Sequence, residues 1–328
     1  MKRYNNLYQN ICDFDNIEDS FKEVRRNTNN DRRVFNMKQY KAYYLATVYA
    51  IVKSKNYVVG PYNKFIIHEP KERQIVSQNI VDKIINHLVA RHILYPAILP
   101  CLLDVNVASR KDLGTSAGLK IADNFRRKCK IKYGHYYILK CDISKFFCSI
   151  DHDILKEKLK RRIKDKDALD IVFKIIDSNE PGLFIGSMTS QVLAIFYLND
   201  LDHFIKEELK IKYYVRYQDD FLLYHPSKKY LTYCLQEIRK FVEKEKLKLN
   251  DKTRIYKDTN NFTFLGRNAK GHYVRYRTIK RKLKHRYYFY QKGGITLNEF
   301  VASLSCYSDL VRKEPAKLFK QKDIYNIK

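Results

Sequence analysis

One segment limits the fold more than any other: Tyr136-Tyr137-Ile138-Leu139-Lys140-Cys141-Asp142, a nearly unbroken apolar run that stops on an acid. Such a run reads as a strand of the buried type. Further on, 212–216 and 221–224 read as two more strands, and Tyr217-Gln218-Asp219-Asp220 between them makes a hairpin with acids at its tip. Carboxylates at these positions sit at a sheet edge with little freedom to reach bulk water. Like charges held together there are costly unless a cation neutralises them. Mg²⁺ takes oxygen ligands and keeps room for waters and phosphates. Two such ions about 4 Å apart can activate an attacking 3′-oxygen and stabilise departing pyrophosphate. An Asp-Asp pair alone is common in surface turns. A strand acid, a Gly-Ser loop at Gly186-Ser187 and a hairpin Asp-Asp, in that order, are far more specific.

Around this core the chain alternates helices and short strands. The apolar spacing predicts helices within 1–56, notably at 15–26 and 38–55. A turn at Gly60-Pro61 precedes a strand at 64–68, and 75–95 reads as a helix stopped by Pro96. A loop at 104–115 leads to a helix at 116–130. A basic helix at 153–164, a loop bounded by Gly182 and Gly186, a long helix at 189–209 and a helix at 230–246 follow. Short strands are expected at 262–265 and 273–277. From Arg267 onward the chain holds 16 Lys and Arg against 4 Asp and Glu, so a separate small basic domain is expected, beginning near 260–268.

Charge narrows the partner. Lys and Arg number 64 against 36 Asp and Glu, a net +28, which calls for a polyanion; nucleic acid fits, since each neutralised phosphate releases counterions. The 27 Tyr and 18 Phe supply stacking surface, although most aromatics serve the core. Seven cysteines without a CxxC pair argue against a zinc knuckle or a disulfide framework and for reduced thiols in the cytoplasm. No apolar stretch reaches membrane-span length, so no membrane partner is expected. The histidines lack the HExxH spacing of a zinc site, and no Walker phosphate loop is present.

The ordered motifs resemble the reverse transcriptase family. Leu139-Lys140-Cys141-Asp142-Ile143-Ser144-Lys145-Phe146-Phe147 resembles its first palm motif, Gly182 through Gln191 its central palm motif, and Tyr217-Gln218-Asp219-Asp220 its YxDD box. Leu247 through Thr253 and Phe264-Leu265-Gly266 resemble the last palm motifs, while Lys71-Glu72-Arg73 and Ala108-Ser109-Arg110-Lys111 resemble fingers motifs. The resemblance implies an α+β right-hand polymerase with a small antiparallel palm sheet. Its divisions would be N-terminal helices and fingers at 1–135 (with part of 153–182), a palm at 136–260 and a basic thumb at 261–328. On these divisions, a nuclease domain of ~100 residues or more is not expected within the 328 residues.

The same resemblance implies RNA-directed DNA synthesis from deoxynucleotides with two Mg²⁺ ions, for which Mn²⁺ can substitute. Asp142, Asp219 and Asp220, with the main chain of Ile143, would hold the metals, and Lys252 would protonate pyrophosphate. Lys71, Arg73 and Arg110 would meet phosphates, and Phe147 would abut the sugar C2′ and exclude a 2′-hydroxyl. Ile185, Gly186, Gln191 and Tyr217 would lie near the nascent base pair, and Lys280, Arg281, Lys282, Lys284 and Arg286 would track the duplex backbone. Ile185-Gly186 and Ser190-Gln191 are similar to bacterial reverse transcriptases of diversity-generating retroelements, which copy a dedicated template RNA with errors at adenines and work with a small basic accessory protein. Antiphage-defence reverse transcriptases, making cDNA on an associated noncoding RNA, share part of this pattern; a second reverse transcriptase subunit is a further partner the resemblance allows. An RNA-binding scaffold with a dead active site is the alternative of a different class, against which the three intact acids argue.

Overall fold

The computed structural model describes residues 3–28, 30–67, 73–260, 262–268 and 276–305. The chain divides into two compact units, Met1–Asn260 and Asn261–Lys328.

The first unit opens with four helices, α1 (Tyr8–Ile11), α2 (Phe14–Arg26), α3 (Asp31–Gln39) and α4 (Lys41–Ser54). Local chemistry sets their starts: the side chains of Asp13 and Asn30 accept from the backbone N–H of Asn16 and Arg33 and cap α2 and α3. β1 (Asn63–Ile67) and β2 (Arg73–Ser77) then pair antiparallel. Here the expected helix over 75–95 is corrected: Ile75 and Val76 pair with Phe65 and Lys64, and the helix α5 (Ile80–Val89) begins only after Asn79, whose side chain accepts from Asp82 N–H. A π turn at Ala90–Leu94 carries α5 into α6 (Tyr95–Ile98), and Pro96 sits in its first turn, where the missing N–H is harmless. α7 (Thr115–Tyr133) ends at Gly134, which takes a left-handed φ of 70°.

β3 (Tyr137–Asp142) is the predicted apolar strand. After it come α8 (Phe146–Ser149), α9 (His152–Arg162), α10 (Lys166–Asp177), α11 (Met188–Tyr197), α12 (Asn199–His203), β4 (Tyr213–Tyr217), β5 (Asp220–His225), α13 (Lys228–Lys244) and β6 (Arg254–Lys257). The expected long helix at 189–209 is instead broken: α11 stops at Leu198, and Phe204–Glu208 widens into a π turn that lets the Leu209 N–H reach the Phe204 carbonyl. The basic helix α9 turns two of its charges inward. Lys158 is buried between Asp200 and Glu245, at 2.7 and 2.9 Å, and buried Arg162 donates twice to the Ala97 carbonyl.

Four strands form one antiparallel sheet in the order β4-β5-β3-β6. Alternation divides its side chains between two faces. Leu139, Cys141, Phe221, Leu223 and Tyr214 share one face and are buried in the main core together with α11 and with Leu231, Cys234 and Ile238 of α13. Ile138, Lys140, Asp142, Asp220, Leu222 and Tyr224 share the other. On that face α7 covers the end away from the acids, where Phe125 meets the rings of Tyr213 and Tyr224.

In the second unit, β7 (Thr263–Phe264) pairs with β8 (Arg267–Asn268), and α14 (Tyr276–Gln291) packs on α15 (Leu297–Ser305). Ile279, Leu283 and Tyr287 recur at helical spacing and are buried, and Phe300 packs on Tyr287 and Tyr290. The strand expected over 273–277 is therefore corrected at its end, because Tyr276 and Arg277 begin α14; 273–275 lie outside the described residues. Among the described residues no helix is long and apolar enough to cross a membrane.

Candidate active site

Strand register brings the predicted acids together. Asp142, the last residue of β3, stands directly opposite Asp220, the first residue of β5. Antiparallel partners lie roughly 4.5–5.5 Å apart at Cα. Asp220 in turn faces Tyr217 on β4, and Asp219 precedes it in the turn. The turn is tight because Gln218 adopts a left-handed φ of 54°. Asp142, Tyr217, Asp219 and Asp220 are each half-buried.

Burial dominates the electrostatics of Asp220. Burial first, then the carboxylates of Asp142 and Asp219, push Asp220 up to about 6, against the pull of the Lys140 ammonium. Lys140 donates to Asp220 at 2.6 Å. This lysine was not singled out from sequence, although the signal was there: two residues before Asp142 on a strand is the same face.

The surrounding segments are tied to these acids through the backbone. Asn250 N–H donates to the Asp142 carbonyl at 2.7 Å, and Ile143 bridges Leu249. Lys252 lies exposed in the turn that follows, where its N–H donates to the Asn250 side chain. Phe146 is in the core, whereas Phe147 is half-buried. The Phe147 carbonyl accepts from Leu183 N–H at 2.8 Å, and Gly182 fits there because a Cβ would fall 2.3 Å from that same oxygen.

The Ile185 carbonyl accepts from Val76 N–H of β2 at 3.3 Å. At Gly186 a φ of 126° and a Cβ position 2.8 Å from the Val76 carbonyl leave room for glycine alone. Ser187 and Thr189 both donate to the Asn86 side chain and hold the start of α11, from whose first turn exposed Gln191 projects. Gln218 donates from Nε2 to Ser109 Oγ at 2.9 Å, joining the YxDD-like turn to the loop before α7.

Other predicted residues are placed differently. The Arg110 guanidinium is used within its own loop, donating to the carbonyls of Leu103 and Asn106 and lying 3.4 Å from Asp104. Arg73 begins β2, in the strand whose far end meets Ile185; Lys71 lies outside the described residues. In the second unit, Arg281, Lys284 and Arg286 are exposed on α14, and Lys280 and Lys282 are half-buried.

The donor set is all oxygen, which suits a hard cation such as Mg²⁺. Among the described residues no three Asp, Glu, His or Cys side chains are gathered tightly enough to hold an ion as they stand.

A small antiparallel sheet with acids at one end, backed by helices, is the palm of a right-hand polymerase. Solved structures agree. Telomerase from Candida albicans, in complex with the TWJ fragment of telomeric RNA, matches with a TM-score of 0.52 over 84% of this chain and 60% of that one, at 14% identity. Telomerase from Candida tropicalis, in the corresponding complex, gives 0.51 over 79% and 55% at 13% identity. Residues 67–269 match the family described as reverse transcriptase (RNA-dependent DNA polymerase), and the chain belongs to that family. Two curated relatives come from Saccharomyces cerevisiae. The putative COX1/OXI3 intron 1 protein is 26% identical over 204 residues, 53% of this chain, and the putative COX1/OXI3 intron 2 protein is 30% identical over 96 residues, 25% of this chain. The chain spans only 22% and 11% of their respective lengths.

Proposed function

We propose that the protein is an RNA-directed DNA polymerase that extends a primer on an RNA template. The observation that carries this reading is the register of Asp142 against Asp220 with Asp219 beside them, in a chain of the reverse transcriptase family. Asp142 and Asp219, with the Ile143 carbonyl, are the groups we assign to Mg²⁺ or Mn²⁺. When bound, the ions supply Lewis-acid activation of the 3′-hydroxyl and charge neutralisation at the triphosphate. Asp220, held by Lys140, supports the pair from β5.

The remaining roles belong to the chain itself. Phe147 abuts the incoming sugar and selects deoxynucleotides. Arg73 and Lys71 bind the triphosphate, and Lys252 delivers a proton to leaving pyrophosphate. Exposed Arg281, Lys284 and Arg286 contact the template–product duplex. We further propose a dedicated noncoding RNA as template and relaxed fidelity at adenines, because Ile185 offers no side-chain hydrogen bond to the nucleotide. RNA, DNA product and deoxynucleotides are then the partners, with an accessory protein as in the retroelement enzymes.

Primer extension on an RNA template tests the activity. Incorporation by the parent, sharply reduced in Asp219→Asn with RNA binding retained, is the expected result. RNA binding without incorporation by the parent would mean a scaffold. Sequencing the products separates the biological readings: substitutions concentrated opposite template adenines support the mutagenic one, and faithful or repetitive cDNA supports antiphage defence.

A further inference from the structure

The roles above leave unused a charge buried on the far side of the same sheet. Arg216 of β4 lies on the core face, opposite to the acids, and its side chain and that of Asp202 on α12 are both fully buried. Arg216 Nε donates to Asp202 Oδ1 at 2.7 Å, Nη2 donates to Oδ2 at 2.5 Å, and the Tyr214 hydroxyl donates to Oδ1 at 2.6 Å. The carboxylate is thereby satisfied, but the guanidinium has N–H groups to spare. Nη2 also donates to the Ile195 carbonyl of α11 at 3.2 Å, and Nη1 donates to the Gln218 carbonyl at 2.9 Å.

That last contact falls on the left-handed residue that delivers Asp219. The backbone of Arg216 is fixed as well: its N–H donates to the Val105 carbonyl at 2.8 Å, and its carbonyl accepts from Val107 N–H at 3.1 Å. A buried ion pair is a poor source of stability, since apolar residues of similar volume often do as well. What an apolar pair cannot do is donate to a turn carbonyl. An ammonium does not match it either: its three donors sit on a single nitrogen, whereas the guanidinium spreads five over three nitrogens and so reaches both Asp202 oxygens and the Ile195 and Gln218 carbonyls together.

We propose that Arg216, oriented by Asp202 and Tyr214, is a positioning residue for Asp219: its guanidinium holds the Gln218 carbonyl and so sets the direction in which the acid leaves the turn. The proposal rests on the assignment of Asp219 to the metals. It explains why a full charge pair sits in the core directly beneath the turn.

The test uses the full chain, primer–template RNA and Mg²⁺, with Mn²⁺ binding read separately by paramagnetic resonance. Arg216→Lys keeps a cation opposite Asp202. The double change Arg216→Met with Asp202→Leu removes both charges and leaves neither unpaired. Tyr214→Phe removes one hydrogen bond to Asp202 and perturbs the core least. Both arginine variants should melt within a few degrees of the parent and bind RNA equally. Their kcat should fall roughly a hundredfold, the scale of an ångström-sized misplacement. Mn²⁺ affinity should weaken, and deoxynucleotide KM should change little. Tyr214→Phe should shift Mn²⁺ affinity in the same direction by a smaller factor. A folded arginine variant with parental kcat and Mn²⁺ affinity overturns the proposal. If the arginine variants do not fold, unchanged Mn²⁺ binding in Tyr214→Phe overturns it. A parent that binds RNA but neither incorporates nucleotide nor binds Mn²⁺ overturns the catalytic reading instead.

Discussion

Asp219 and Asp220 are neighbours in sequence but occupy different surroundings. Asp220 belongs to β5, faces Asp142 across the ladder and is held by Lys140. Asp219 belongs to the turn, whose shape depends on Gln218. Asp219→Asn should reduce nucleotide incorporation by roughly a hundred- to a thousandfold, the usual scale for one electrostatic group in a transition state, with RNA affinity unchanged in a filter-binding assay. On the proposed placement of Ile185 near the nucleotide, Ile185→Gln should lower misincorporation in primer extension, since it supplies a polar group there; an unchanged error spectrum would remove that account of fidelity. Gly186→Ala places a methyl group 2.8 Å from the Val76 carbonyl at a φ of 126°. A denaturant melt should show a loss of more than about 1 kcal/mol, because neither the backbone oxygen nor the dihedral can yield cheaply.

Several helices in this protein begin where a short polar side chain caps them. Asp151 caps α9 by accepting from Ile154 N–H and also pairs with Lys246 at 2.6 Å. Burial alone would raise its carboxyl pKa, but the Lys246 ammonium and the helix N–H groups outweigh that and hold it below the ordinary aspartate value. A depressed carboxylate stabilises the fold above its unfolded pKa and loses that contribution as pH falls through the folded value. Asp151→Ala should therefore cost about 1 kcal/mol at neutral pH. The gap from the parent should shrink below about pH 4, where unfolded aspartate protonates too, as followed by thermal melts across pH. The misread segments share a cause. Ile75 and Val76 satisfy a helical period, but a partner strand and a cap at Asn79 were available and won. For Lys158 and Arg162, legible in sequence only as charges of a basic helix, packing supplied the partners: distant Asp200, Glu245 and the Ala97 carbonyl.

Across the whole molecule, a net charge of +28 would make the proposed RNA binding an ion-exchange process. Affinity for a single-stranded RNA should fall by roughly three hundredfold or more between 50 and 200 mM salt if six or more phosphates are neutralised. A shallow salt slope in fluorescence anisotropy would argue against so extensive a phosphate track. The composition change after residue 260 and the apolar strand ending in Asp142 were legible without coordinates, because both are local properties of the chain. So were the acids of the hairpin and the family resemblance, since alternation and turn chemistry are written in consecutive residues. Tertiary structure alone decided which charges meet. It put Lys140 on Asp220, turned the Arg110 guanidinium inward onto its own loop, and buried Arg216 with Asp202 beneath the turn of Asp219. The physical reason is range: propensity and periodicity act over a few residues, whereas the energy of a buried charge is set by whichever distant group the packed core delivers to it.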